Sequence, residues 1–168
     1  AIEVGELLLN TQEAEVAFGE IPFFDENSLK YTGNNTSFTV NKSSVTVGNY
    51  VTLRATIDFL ECYKQKVNNV KVLVDLPEKC KFIDNSLLLG NSQANYTIDS
   101  NRIIVELGKH LDNQLRFCAM PTVGNNYSPN AFVQFEIEGK TIFQPIGAAH
   151  FTCENLTLII PDSITSQK

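Results

Sequence analysis

From Ser37 onward the chain is cut into short runs by turn residues, and that punctuation limits what it can fold into. Gly48-Asn49, Gly90-Asn91, Asp99-Ser100-Asn101 and Gly124-Asn125-Asn126 are residues that tolerate positive φ or bond to their own backbone, so each ends an extended run. Between the breaks, apolar and polar residues alternate. Val51, Leu53, Ala55 and Ile57 share one parity of Tyr50–Phe59, and Val70, Val72, Val74 and Leu76 share one parity of the next run. Period two places each set on one face of a strand, where β-branched side chains pack well. Pro77 lacks the N–H to continue a ladder and closes that run. Asp75, just before it, is expected to accept backbone N–H groups at the turn.

Further runs are Ser37–Val47 (a broken edge strand), Cys80–Leu89, Ala94–Ile98, Arg102–Leu107, Gln114–Met120, Ala131–Ile137 and His150–Ile160. Eight or nine short strands with turns at roughly 8–12-residue spacing predict an all-β antiparallel sandwich, with no helix longer than about two turns. The only competing helix signal is Gly5–Glu20. The expected organisation is an acidic N-terminal extension or linker over 1–35 that contributes a strand or pairs with an edge, a sandwich over 36–162, and a polar tail over 163–168.

Composition narrows the function classes. Apolar residues make up 43% of the 168 residues, enough for a core, with 11 Phe, 5 Tyr and no Trp. The net charge of −6 argues against nucleic acid, whose backbone demands clustered Lys and Arg. No apolar run reaches the roughly 18 residues of a spanning helix. The acidity is local: Glu3, Glu6, Glu13, Glu15, Glu20, Asp25 and Glu26 stand in residues 1–26 without a Lys or Arg, while the other 142 residues carry 13 basic and 12 acidic groups. Apolar residues also crowd this segment, among them Val4, Leu8, Val16 and Phe18, so it is not composed like a disordered tail. These four are candidate partner contacts, together with Tyr63 and Tyr127.

Chemistry-bearing constellations are sparse. His110 falls in a turn, and His150 with Cys153 supplies two ligands where zinc takes four, or three and a water. No serine elbow or phosphate-cradling glycine loop is present. Asp75, Asp84, Asp99 and Asp112 lie near strand ends but not at calcium-loop spacing. The expectation is therefore a non-enzymatic chain with no cofactor and no metal. Cys62, Cys80, Cys118 and Cys153 would form two disulfides in a secreted protein; of the three connectivities, one is Cys62–Cys118 with Cys80–Cys153. Asn-x-Ser/Thr triplets beginning at Asn34, Asn35, Asn41, Asn95, Asn126 and Asn155 fit the polar, weakly charged surface of a secreted β protein.

Four stretches, VGNYVTLRATI, VLVDLP, IIVELGKHLDNQLRFCAMPTV and NAFVQFEI, occur in an order that resembles DUF11, a repeat domain of bacterial cell-surface proteins. Val47, Gly48, Val51 and Thr52 carry the first part; Val72, Asp75, Leu76, Pro77 and then Phe82 the second; Leu107, Gly108 and Leu111 the third; Asn130 and Ala131 the last. The resemblance spans Ser37 to Ile160. It departs from the pattern at FLECYKQKVNN and in its four cysteines, which favour a specialised secreted or spore-surface member. It implies an immunoglobulin-like β-sandwich, extracellular on a bacterial cell or spore, with no catalytic residues to carry over. Three functions follow as expectations. The first is a structural or adhesive module for a protein partner or neighbouring domain. The second is a fibre or pilus-like subunit assembled by β-strand addition through the N-terminal segment. The third is a module binding host or cell-surface glycans through rim tyrosines such as Tyr63, Tyr96 and Tyr127.

Overall fold

Alternation becomes architecture through register. The computed structural model describes residues 30–108 and 114–155. Among them, β1 (Ser37–Val40), β3 (Val51–Thr56), β5 (Cys80–Phe82), β6 (Leu88–Leu89), β7 (Ser92–Gln93) and β10 (Gln114–Pro121) make a six-stranded sheet of order β1-β3-β10-β6-β7, with β5 also on β10. β4 (Val67–Asp75), β8 (Tyr96–Asp99), β9 (Arg102–Gly108), β12 (Asn130–Ile137) and β13 (Lys140–Ala148) make a five-stranded sheet of order β13-β12-β4-β9-β8. A small third sheet joins β11 (Asn125–Tyr127), β14 (Phe151–Glu154) and β2 (Ser44–Thr46). The one helix among the described residues, α1 (Glu61–Lys64), is a single turn inside FLECYKQKVNN. The β-sandwich is as expected from the punctuation, and every strand pair is antiparallel except β2 with β14, which runs parallel.

The core lies between the two large sheets. Val51, Leu53 and Ala55 of β3, Leu115, Phe117 and Ala119 of β10, Val72 and Val74 of β4, Val105 of β9, and Val133 and Phe135 of β12 are buried there. Each comes from one parity of its strand, as period two requires. Phe59 meets Phe135 edge-on at 4.9 Å, and Tyr31 meets it at 5.3 Å. Tyr31 is also buried in this core, and Thr32 bridges Phe59.

Two features depart from the sequence expectation. Lys140–Ala148 is a strand that the reading of runs passed over, because Pro145 and Gly147 interrupt it. Proline survives there because β13 is an edge strand, where a missing N–H leaves no ladder bond unmade. Glu138 and Gly139, both at positive φ (51° and 78°), form the two-residue turn that joins β12 to β13, the geometry that matches strand twist in tight hairpins. β4 also begins three residues earlier than expected, at Val67. Asn69, at φ 53°, marks a bulge there that keeps Val67 and Val70 both facing the core.

Candidate functional site

The outer face of the five-stranded sheet breaks the rule of its own fold. One face of an antiparallel sheet in a sandwich normally meets water and is polar. Here the register lines up Ile104 of β9, Leu73 of β4, Phe132 of β12 and Pro145 of β13. Four strands at ~4.8 Å spacing make this row roughly 14 Å long. Phe143, one register step away on β13, stacks on Phe132 at 4.9 Å with the rings 20° from parallel. Leu73 is only 5% exposed, yet it stands apart from the buried core cluster between the sheets. Phe143 remains 38% exposed.

Charged groups flank the row. Asp75 and Arg102, register partners on β4 and β9, form a two-pronged ion pair at 2.6 and 2.9 Å. The guanidinium hydrogen bond holds the Asp75 carboxyl below its ordinary value. Asp75 was expected to cap a turn; its carboxylate instead accepts from Arg102, because it sits within the ladder rather than after it. Glu106 and Lys71, also register partners, lie on the other side of the row. The arrangement is an apolar strip with a polar rim, suited to excluding water against another apolar surface and with no nucleophile or base in it.

Other candidate residues fall elsewhere. Val4, Leu8, Val16 and Phe18 lie outside the described residues, as do His110 and Asp112. Tyr127 was expected at the rim; it is 2% exposed, stacked on Phe151 at 5.4 Å, and its hydroxyl donates to the Val123 carbonyl at 2.6 Å. Both uses of the ring are taken, so it presents no platform to a sugar. Its hydroxyl bond to a carbonyl four residues upstream is the corner device of many sandwiches. Tyr63 packs against Tyr31 at 4.7 Å, and Tyr96 against Phe82 at 5.1 Å.

The four cysteines are all unbonded. The expected pairing of Cys62 with Cys118 and Cys80 with Cys153 is not formed: Cys62 is exposed and Cys118 half-buried. Cys80 and Cys153 are both buried in the core cluster, and burial together with the neighbouring Cys153 pushes the Cys80 thiol up to about 11. No group of three or more His, Cys, Asp or Glu side chains able to hold a metal ion occurs among the described residues. No described helix is long and apolar enough to cross a membrane.

No protein-family model matches the chain, and no curated protein matches it. Solved structures do resemble its backbone. A type I cohesin–dockerin complex from Clostridium thermocellum matches at a TM-score of 0.54 and 8% identity, covering 76% of this chain and 99% of that one. The sixth cohesin of Acetivibrio cellulolyticus scaffoldin B, in complex with a dockerin, matches at 0.50 and 9% identity, covering 71% and 99%. At such identities the likeness is one of fold: a mostly antiparallel β-sandwich.

Proposed function

We propose that this chain is a non-catalytic extracellular module of a bacterial surface, structural or adhesive, that works by docking a protein on the outer face of its five-stranded sheet. The observation that carries this is the Ile104–Leu73–Phe132–Pro145 row, set where an antiparallel sandwich should be polar. A row of this kind gains by being covered, at roughly 25 cal/mol for each Å² of apolar surface removed from water. The two cohesins of similar fold were each captured with a dockerin, a protein partner, which agrees with a sandwich used for contact. The DUF11-like order of motifs supports placement at a bacterial cell or spore surface.

The experiment is a binding array of extracellular and cell-envelope proteins, probed with the purified chain and with a Phe132→Ser, Phe143→Ser variant of matched folded state. Partners bound by the native chain and weakened at least tenfold in the variant support the proposal. Partners bound equally by both, or no bound protein at all, defeat it.

A further inference from the structure

A cleft of about 610 Å³ opens beside β8, between the edges of the two large sheets. Its origin is a missing neighbour. Ile98 of β8 is the register partner of Ile103 of β9 and shares its core-facing parity. Ile103 is 1% exposed, but Ile98 is 48% exposed. The inward face of the sheet simply loses its cover at the last strand. Leu76, Phe82 and Ile103 line the apolar part of the cleft, and Lys79 and Lys81 are the only charged side chains lining it among the described residues. Among the described residues β8 ends its sheet, so its outer backbone groups offer a template for one more strand.

An occupant must therefore be extended, apolar on one side and acidic. We infer that the cleft receives the chain's own N-terminal segment, Ala14–Ile21, as a strand added to β8. Val16 and Phe18 share one parity of this segment, and Glu13, Glu15 and Glu20 surround them in a region of seven acids without a cation. Glu20, on the same parity as Val16 and Phe18, brings its carboxylate to Lys79 and Lys81, while Val16 and Phe18 cover Ile98 and Phe82.

The chain is long enough. It enters the core at Tyr31, against Phe135, close to the Val70 level of β4. Six residues of β4 separate that level from Leu76, roughly 20 Å, and three strand spacings separate β12 from β8, roughly 14 Å. The ten residues from Ile21 to Tyr31 span up to about 35 Å, more than the diagonal of those two. A tethered strand also meets its edge at an effective concentration on the order of millimolar, which favours the chain's own segment over one from a second copy. This pairing is independent of the outer-face docking proposed above.

Hydrogen exchange on the full chain at two concentrations tenfold apart tests it. Protection of Glu15–Ile21 and of Thr97–Asp99 that is unchanged by dilution is the expected result. Val16→Asp with Phe18→Asp should remove both, with β4 and β12 still protected to show that the fold persists. Lys79→Glu with Lys81→Glu should weaken the same protection. Complete exchange of Glu15–Ile21 at the first time point overturns the inference. Protection lost on dilution overturns it in favour of strand exchange between copies, and so does an aspartate variant that leaves both segments protected.

Discussion

The two solvent faces of the sandwich come from the same construction and differ in what they display. On the six-stranded sheet, Thr52, Arg54 and Thr56 of β3 lie beside Gln114, Arg116 and Cys118 of β10. These residues satisfy one another: Arg54 donates to the Gln114 side-chain oxygen at 3.0 Å, and the Thr52 hydroxyl meets the Cys118 sulfur at 3.7 Å. On the five-stranded sheet the equivalent positions hold Ile104, Leu73, Phe132 and Pro145. Strand formation and core packing require only that each inner parity be apolar, and both sheets meet that requirement. The apolar outer row stands outside the core cluster between the sheets, so the proposed docking is what would account for the difference between the faces.

The largest test of this comparison sets inside against outside on a single strand. Phe135→Ala, on the inner face of β12, should destabilise the protein by ~3–5 kcal/mol. Phe132→Ala, three residues earlier on the outer face, should cost about 1 kcal/mol or less, the worth of a cross-strand pair. Chemical denaturation of both variants checks this. Equal losses would mean that Phe132 serves the fold and not a partner.

Thiols sharpen the same contrast. Cys80 and Cys153 are buried, and Cys62 is exposed. Alkylation of the native protein near pH 8 should label Cys62 and spare Cys80 and Cys153 until denaturant is added. Because the folded state holds the Cys80 proton more tightly than the unfolded chain does, stability is full below the ordinary thiol value and falls as pH rises from 9 towards about 11. The loss over that range is on the order of 2–3 kcal/mol, and Cys80→Ala should flatten that part of a stability profile.

The smallest effect belongs to the rim of the apolar row. Asp75 is stabilised as a carboxylate in the folded state, so its contribution is present above the ordinary carboxylate value and is lost as pH falls through the lower folded value. Both partners are well over a third exposed, which limits the pair to roughly 1 kcal/mol or less. Asp75→Asn should reduce the acid-side slope of the stability profile slightly and leave neutral stability nearly unchanged.

The sandwich was legible because turn residues and alternation are local signals. Residues Val51 to Ile57 needed nothing from elsewhere in the chain to declare a buried parity. The outer row was not legible for the opposite reason: Leu73, Ile104, Phe132 and Pro145 come from four separated strands, and only pairing register sets them side by side. A partial signal existed in Val72-Leu73-Val74 and in Ile103-Ile104-Val105, where alternation fails and both faces of a strand turn apolar. β13 was hidden by Pro145, which reads as a strand breaker until the strand is known to lie at an edge. The Asp75–Arg102 pair likewise depends on β9 lying beside β4, whereas a turn cap is the local alternative that sequence proximity suggests. Tyr127 was expected among rim tyrosines, but the corner folds its ring inward onto Phe151.

The central claim, that the two wet faces have different work, is tested most directly by hydroxyl-radical footprinting of the chain alone and in contact with a bacterial cell-envelope protein fraction. Phe132 and Phe143 report on the five-stranded sheet, and half-buried Met120, on the outer parity of β10, reports on the six-stranded one. Oxidation of Phe132 and Phe143 should fall severalfold on contact while that of Met120 stays constant. Unchanged phenylalanine oxidation, or protection of Met120 in their place, would contradict the assignment of the docking face.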